Sequence, residues 1–214
     1  MNNIKVLNIF QWNARSIYNK KGDIENIITK YQLHIVIITE TWLNPNIQMQ
    51  GYKTYRADRM DHYGGILIWI HQSIQVLEVH CSQPEDKFQY ILINTPNLAI
   101  IGMYIPPNHK NNAAEIERIL QQTKNQYKIL AGDFNIPPPH KDNCSYINRQ
   151  HPIITSLEKH SLFCINDNIP TRIGNWQQRQ TAPDLTFVSD NLLLDYKWDV
   201  LRDNLGSDHL PILV

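Results

Sequence analysis

The sequence lacks any apolar run near the roughly 20 residues that a membrane-crossing helix requires. Met1-Asn2-Asn3-Ile4-Lys5 does not lead into the apolar segment of a secretion signal. Both absences speak against a membrane or secreted protein and imply a cytoplasmic or nuclear one. Cysteine is scarce: Cys81, Cys144 and Cys164 are an odd number at unrelated spacings, which excludes a disulfide framework and a cysteine-rich zinc site. Net charge is also missing, with 20 basic and 20 acidic residues, so no global basic field announces nucleic acid. No short-period repeat and no low-complexity tract interrupts the chain.

What remains is the composition of one globular domain. At 214 residues and 25.1 kDa, 42% hydrophobic and 19% charged, the chain can bury a sizeable core. Its charges are unevenly spread. Lys and Arg outnumber Asp and Glu 8 to 4 over residues 1–59 and 6 to 4 over 128–181, and trail them 2 to 6 over 182–214. A basic rim around an acidic metal site has this distribution, as does ordinary solvated surface.

Residues 5–12 read as a buried strand, because Val6, Leu7, Ile9 and Phe10 crowd together without helical spacing, and the run stops at Asn13. Ile24, Ile27, Ile28 and Tyr31 fall at i, i+3, i+4 and i+7, which predicts a helix capped by Asp23. A second strand, 34–39, stops at Glu40. Strand, helix, strand predicts two parallel neighbours with Asn13 and Glu40 at one end, where α/β sheets place their sites. Strands at 65–70, 76–81, 88–94 and 98–104, mostly separated by turn residues, predict an antiparallel meander. Ile116, Ile119, Leu120 and Thr123 predict a second helix. It precedes a central strand that ends in Gly132-Asp133-Phe134-Asn135 and is stopped by Pro137-Pro138-Pro139.

Ile153, Ile154, Leu157 and His160 predict a third helix, followed by a short strand at 162–165 and a polar hairpin or loop over 170–183 with Arg172, Trp176 and Arg179. Asp184 opens a strand over 185–188. Another is expected at 198–202, and Asp208-His209 precedes a last apolar run, 210–214. Two strand-rich halves with helices predict two sheets packed face to face, helices outside.

Singly, these polar strand ends have bland explanations: Asn13 as a turn residue, Glu40 as a solvated end, Asp133 and Asn135 as Asx-turn formers, Asp208 and His209 as a surface pair. Jointly they supply oxygen ligands, amide donors and an imidazole. That inventory suits a magnesium ion, which takes oxygen ligands, more than zinc. It also suits phosphodiester hydrolysis, which needs charge compensation on the non-bridging oxygens and a deprotonated water. Glu40 can hold the cation, Asp133 can take the water's proton, and Asn13, Asn135, Tyr104 and His209 can donate to the phosphate. Asp184 can fix the His209 tautomer.

Gln11-Trp12-Asn13, Thr39-Glu40-Thr41-Trp42, Tyr104-Ile105-Pro106-Pro107, Gly132-Asp133-Phe134-Asn135, Pro183-Asp184-Leu185-Thr186-Phe187 and Ser207-Asp208-His209 together resemble the endonuclease/exonuclease/phosphatase superfamily, in its order and over nearly the whole chain. The resemblance implies a DNase I-like four-layer α/β/β/α sandwich of two mixed sheets flanked by helices. It also implies dependence on Mg2+ (Mn2+ as a possible substitute) and cleavage that leaves a 3′ hydroxyl. Asn13-x-Arg15-Ser16, Glu40-Thr41-Trp42-Leu43, Tyr104-x-Pro106-Pro107 and Pro183-Asp184-Leu185-Thr186-Phe187 resemble the apurinic-like endonuclease domain of non-LTR (LINE-type) retrotransposons. Such domains nick double-stranded target DNA to prime reverse transcription.

By that likeness residues 1–214 are one endonuclease domain, monomeric in isolation, from the front of a longer polyprotein with a reverse-transcriptase domain. It would be made in the cytoplasm and act in the nucleus. The likeness implies Asn13, Glu40, Tyr104, Asp133, Asn135, Asp184, Asp208 and His209 as the catalytic set, with Glu40, Asp208 and Asn13 toward the metal. It implies DNA contacts from Arg15, Lys20, Lys21, Thr171, Arg172, Trp176 and Arg179. Arg15 stands where repair-type apurinic endonucleases carry an acid and Pro107 where they carry Asn, which points away from abasic-site repair. Two other readings compete: a small-molecule or lipid phosphoesterase of the same superfamily, and a non-catalytic nucleic-acid binding module.

Overall fold

Successive side chains of a strand point to opposite faces, and the central strands of this chain are apolar on both, so each sheet has to be covered twice. A computed structural model describes residues 7–42, 47–108, 112–139, 151–167, 169–174 and 179–214. In chain order the elements are β1 (Ile9–Asn13), α1 (Lys21–Tyr31), β2 (Ile35–Thr39), β3 (Tyr52–Ala57), β4 (Ile66–His71), β5 (Glu78–Cys81), β6 (Gln89–Asn94), β7 (Ala99–Tyr104), α2 (Ala113–Gln121), β8 (Lys128–Asp133), α3 (Pro152–Lys159), β9 (Leu162–Cys164), β10 (Asp184–Ser189), β11 (Asp199–Val200) and β12 (Ile212–Leu213). They form two six-stranded sheets, ordered β11-β12-β1-β2-β4-β3 and β5-β6-β7-β8-β10-β9.

Three apolar layers hold this together. Ile9, Ile35, Ile37, Ile66 and Ile68 of the first sheet meet Ile91, Ile93, Ile100, Ile129 and Val188 of the second. Phe10, Trp12, Val36, Leu67 and Trp69 face the other way and receive α1, while Ile101, Met103, Leu130 and Phe187 receive α2 and α3. The order is therefore α, β, β, α, as the resemblance implies. Each such side chain contributes about 1.5–3 kcal/mol by leaving water. Both sheets are mixed: β1 pairs with β2 and β7 with β8 in parallel, and the remaining pairs are antiparallel.

Several expectations are corrected. The helix α1 begins at Lys21, with Lys20 as its cap and no side-chain capping bond, so Asp23 lies in the first turn, where its charge complements the helix dipole. The meander is three strands, β5 to β7, because β4 belongs to the other sheet, between β2 and β3. Burial explains the difference: Ile66, Ile68 and Ile70 point between the sheets, Leu67 and Trp69 point toward α1, and only a central position covers both faces. The runs at 198–202 and 210–214 shorten to two-residue strands, and β3 was not expected. Among the described residues Cys81 and Cys164 form no disulfide, Cys164 Sγ donates to Asn166 Oδ1 at 3.4 Å, and Cys144 lies outside the described residues. Among the described residues no helix is long and apolar enough to cross a membrane.

Candidate active site

The site arises where the inward-facing alternation changes from apolar to polar at one end of the sandwich. Along β1 the inward positions run Ile9, Gln11, Asn13; along β7, Ile100, Gly102, Tyr104; along β8, Ile129, Ala131, Asp133. β10 runs antiparallel to β8, so its inward series, Asp184, Thr186, Val188, presents its acid first, and Asp184 stands directly across the ladder from Asp133. Asn13 is level with Thr39, the residue before Glu40, and Tyr104 is level with Asp133. Five strand ends, of β1, β2, β7, β8 and β10, therefore deliver the polar groups to one end of the sandwich.

Hydrogen bonds cross between the sheets there. Asn13 Nδ2 donates to Asp133 Oδ2 at 2.8 Å, Gln11 Nε2 donates to the Gly132 carbonyl at 3.0 Å, and Thr186 Oγ1 donates to Gln11 Oε1 at 2.8 Å. Trp12 Nε1 donates to the His209 carbonyl at 3.0 Å. Ser207 Oγ donates to the Asn13 carbonyl at 2.7 Å and accepts the His209 amide at 3.1 Å, so the last loop is tied to the first strand. The surrounding loops hold strained backbone: Arg15, Ser16, Glu40, Trp42 and Asn135 all have positive φ, between 43° and 79°. Such conformations persist only where neighbours over-determine them.

Asp133, Asp184 and His209 are almost completely buried. His209 Nδ1 is 2.7 Å from Asp184 Oδ2, and the same oxygen accepts the Thr171 hydroxyl at 2.6 Å. Burial opposes the imidazolium, but Asp184, with help from Asp133 and Asp208, outweighs it and raises the His209 pKa to about 9. Burial, then the Asp184 charge, pushes Asp133 up to about 7, against the pull of His209 and of the bonds from Asn13 Nδ2 and the Asn135 amide. Tyr104 Oη donates to Glu40 Oε1 at 3.3 Å. Burial and the charges of Glu40 and Asp133 raise that phenol, so it stays a neutral donor.

One ligand atom from each of Asp133, Asp184 and His209 lies within 4.8 Å of the others, a set able to hold a metal ion. Asp184 Oδ1 is buried without a hydrogen-bond partner in the described structure, and Glu40 adds a half-buried carboxylate nearby. Carboxylate oxygens dominate, and the one imidazole already donates to a carboxylate. That donor set fits a hard divalent cation and not a zinc site of nitrogen and sulfur ligands.

The structure brings Asn13, Glu40, Tyr104, Asp133, Asp184 and His209 together. Asn135 joins them through its backbone amide, which donates to Asp133 Oδ1 at 2.9 Å, while its side-chain Nδ2 donates to the Ile105 carbonyl at 2.9 Å. Asp208 sits at the rim, 3.2 Å from Arg172 Nε and 3.7 Å from Arg15 Nη1.

The expected DNA-contacting residues divide. Arg15 and Arg172 are exposed, and Arg179 is exposed beside a cleft of about 640 Å³ that Asn135, Pro137, Arg172, Thr181 and Pro183 also line. Lys21 is exposed and 3.5 Å from Glu25. Lys20, by contrast, gives two of its three N–H donors to the carbonyls of Ala14 and Gly206 and stands 5.1 Å over the Trp12 ring. Thr171 is fully buried, and its hydroxyl proton goes to Asp184, so contact with a phosphate would require it to leave that acid. Arg172 and Thr181 pair as in a hairpin, and Trp176 lies outside the described residues.

Sequence reasoning assigned no role to Gln11, Thr186 and Asn166. Asn166 donates to the Asp184 carbonyl at 2.8 Å and accepts the Thr186 amide at 2.9 Å, extending the support of β10 beyond the end of β9. The period-2 rule finds Gln11 and Thr186, one inward step from Asn13 and Asp184. The polar-stop rule finds Asn166.

Solved structures share this architecture. A 3′ phosphatase, NExo from Neisseria, bound to a product DNA hairpin, is 18% identical over 97% of this chain and 98% of its own, with a TM-score of 0.73. The endonuclease domain of TRAS1, a telomere-specific non-LTR retrotransposon, is 17% identical over 97% and 96%, TM-score 0.73. An AP endonuclease from Archaeoglobus fulgidus is 16% identical over 97% and 98%, TM-score 0.73. At these identities the likeness speaks for the fold alone, a DNase I-like sandwich. No curated protein sequence matches the chain. Residues 98–213, more than half of the chain, match the family described as endonuclease-reverse transcriptase, and the chain belongs to that family. It is a phosphodiester hydrolase of the DNA endonuclease kind.

Proposed function

We propose that this domain nicks one strand of double-stranded DNA with Mg2+, or Mn2+ in its place, and leaves a 3′ hydroxyl that primes reverse transcription. The observation that carries this reading is the buried pair Asp133 and Asp184 facing each other across β8 and β10, with His209 bonded to the second acid. Asp133 takes a proton from the attacking water, whose oxygen bonds to phosphorus as the P–O3′ bond breaks. The imidazolium of His209 and the phenol of Tyr104 donate to the oxygens that gain charge. Asn13 and the Asn135 amide hold Asp133 in place, and Thr171 does the same for Asp184. Glu40 would hold the cation, with Asn13 beside it, and the ion when bound neutralises charge on the phosphate.

Arg172 and Arg179 along the cleft, with Arg15 and Lys21, supply the contacts to backbone phosphates. The family's description, which pairs endonuclease with reverse transcriptase, supports placing the domain at the front of a longer polyprotein. In that setting it works on nuclear DNA as a monomeric unit. The test is conversion of supercoiled plasmid to open circle with Mg2+, its loss in EDTA, and direct extension of the nicked ends by a polymerase. Saturable DNA binding without cleavage under either metal would overturn the catalytic reading, and ends that need phosphatase treatment would overturn the priming one.

The pH profile follows from the same pair. Asp133 must be ionised and His209 protonated, so the nicking rate rises through about pH 7 and falls through about pH 9, as macroscopic steps of a coupled site. Asp184 raises both groups. Asp184→Asn is therefore expected to lower the rate and move both limbs to lower pH, with DNA affinity in EDTA unchanged. An alkaline limb that stays in place would separate Asp184 from the imidazole's function.

A further inference from the structure

Two carboxylates stand at the open rim of the site in opposite surroundings. Glu40 accepts the neutral Tyr104 hydroxyl and, among the described residues, forms no ion pair. Asp208 is the reverse: Arg172 Nε lies 3.2 Å and Arg15 Nη1 3.7 Å from its Oδ2, and its charge also reaches the Lys20 ammonium and the His209 imidazole. The carboxylate is already over-compensated. Two guanidiniums and one carboxylate sum to +1, a charge that repels a divalent cation and attracts a phosphate.

The clasp is built onto the catalytic pair from both sides. The Arg15 amide donates to Asn13 Oδ1 at 3.0 Å, and the Nδ2 of that same Asn13 holds Asp133. Arg172 forms backbone bridges to Thr181 and to His209. The Arg15 and Arg172 side chains are 57% and 45% exposed, against 25% for that of the acid between them. Each retains N–H donors for an incoming oxygen, since a guanidinium has five.

We propose that Asp208 is a positioning residue that clasps Arg15 and Arg172 into a phosphate seat, and that the domain takes a single divalent cation, at Glu40. The seat receives a backbone phosphate of the bound strand. The proposal departs from the expectation that Asp208 ligates metal, and it rests on the proposed Mg2+-dependent nicking.

The experiment uses the whole chain in two measurements. Free Mn2+ is followed by electron paramagnetic resonance without DNA, and binding of a duplex oligonucleotide is followed by anisotropy in EDTA at several salt concentrations. One Mn2+ per chain is expected. Glu40→Gln should weaken its binding at least about tenfold, while Asp208→Asn and Arg15→Ala should not weaken it. Arg15→Ala should lower the slope of log K against log salt by about 1, and Arg15→Lys should restore it.

Two Mn2+ ions per chain, Asp208→Asn as damaging to Mn2+ binding as Glu40→Gln, or an unchanged salt slope for Arg15→Ala would each overturn the proposal. Mn2+ binding that survives Glu40→Gln would place the ion on the buried Asp133, Asp184 and His209 and also overturn it. A wild-type protein that neither binds Mn2+ nor nicks plasmid sinks the underlying function too, whereas one that nicks with two ions sinks only this inference.

Discussion

Replacing Asp133 by Asn is expected to lower plasmid nicking by about 10²–10⁴-fold, the range for loss of a general base, and to raise the melting temperature above pH 7. The two effects have one cause. Burial and the facing Asp184 lift the Asp133 pKa from 3.8 to about 7. For an acid, a folded-state pKa above the unfolded one means stability that declines as pH rises between the two values. Above pH 7 the ionised Asp133 is thus a cost to the fold, and the neutral amide removes it. Nicking assays and thermal melts at pH 8 check both at once. His209→Ala should differ in the second effect: nicking falls by about 10²–10³-fold, but the melting temperature drops, because Asp184 is left buried without its partner. Nicking that persists in both variants would remove these residues from the chemistry.

The second large effect concerns the backbone. A Cβ added at Gly132 would sit 1.8 Å from the Met103 carbonyl oxygen and 2.8 Å from its carbon, at φ +152°. The obstacle is the neighbouring strand β7 itself, in register with Gly132, so no rotamer change relieves it. Gly132→Ala is expected to cost about 3–5 kcal/mol and lower the melting temperature by on the order of 10 °C. It should also release the carbonyl that Gln11 holds, and with it the seat of Asp133. Gly22→Ala is the contrast, since nothing lies within 4 Å of its added Cβ and the position is helical. There a gain of about 0.4–1 kcal/mol is expected. Equal melting temperatures for the two variants would contradict the close approach of β7 and β8.

Much of this site is readable from the chain because it follows one rule: an apolar run that stops at a polar residue delivers that residue to a sheet edge. Asn13, Glu40, Tyr104 and Asp133 all obey it. Asp184 is legible as the opening residue of a strand, but its place opposite Asp133 is not, because register is set by pairing between segments about 50 residues apart. The same distance hides which sheet a strand joins, so residues 66–71 read as part of a meander until the burial of both their faces is known. β3 escapes notice because Tyr-Lys-Thr-Tyr-Arg-Ala is largely half-exposed and turns only Tyr55 and Ala57 toward the inter-sheet core. Lys20 and Thr171 look like ligand contacts by residue type. What redirects them inward is the set of acceptors they meet, the carbonyls of Ala14 and Gly206 and the carboxylate of Asp184.

The position of β12 between β11 and β1 has a consequence for the timing of activity during synthesis. A growing chain that has reached residue 205 already carries Asn13, Glu40, Asp133 and Asp184, yet it lacks the imidazole and the strand that pairs with β1. Ser207, which ties the last loop to Asn13, is missing as well. On the ribosome, therefore, the proposed site can be completed only after residues 207–213 have emerged.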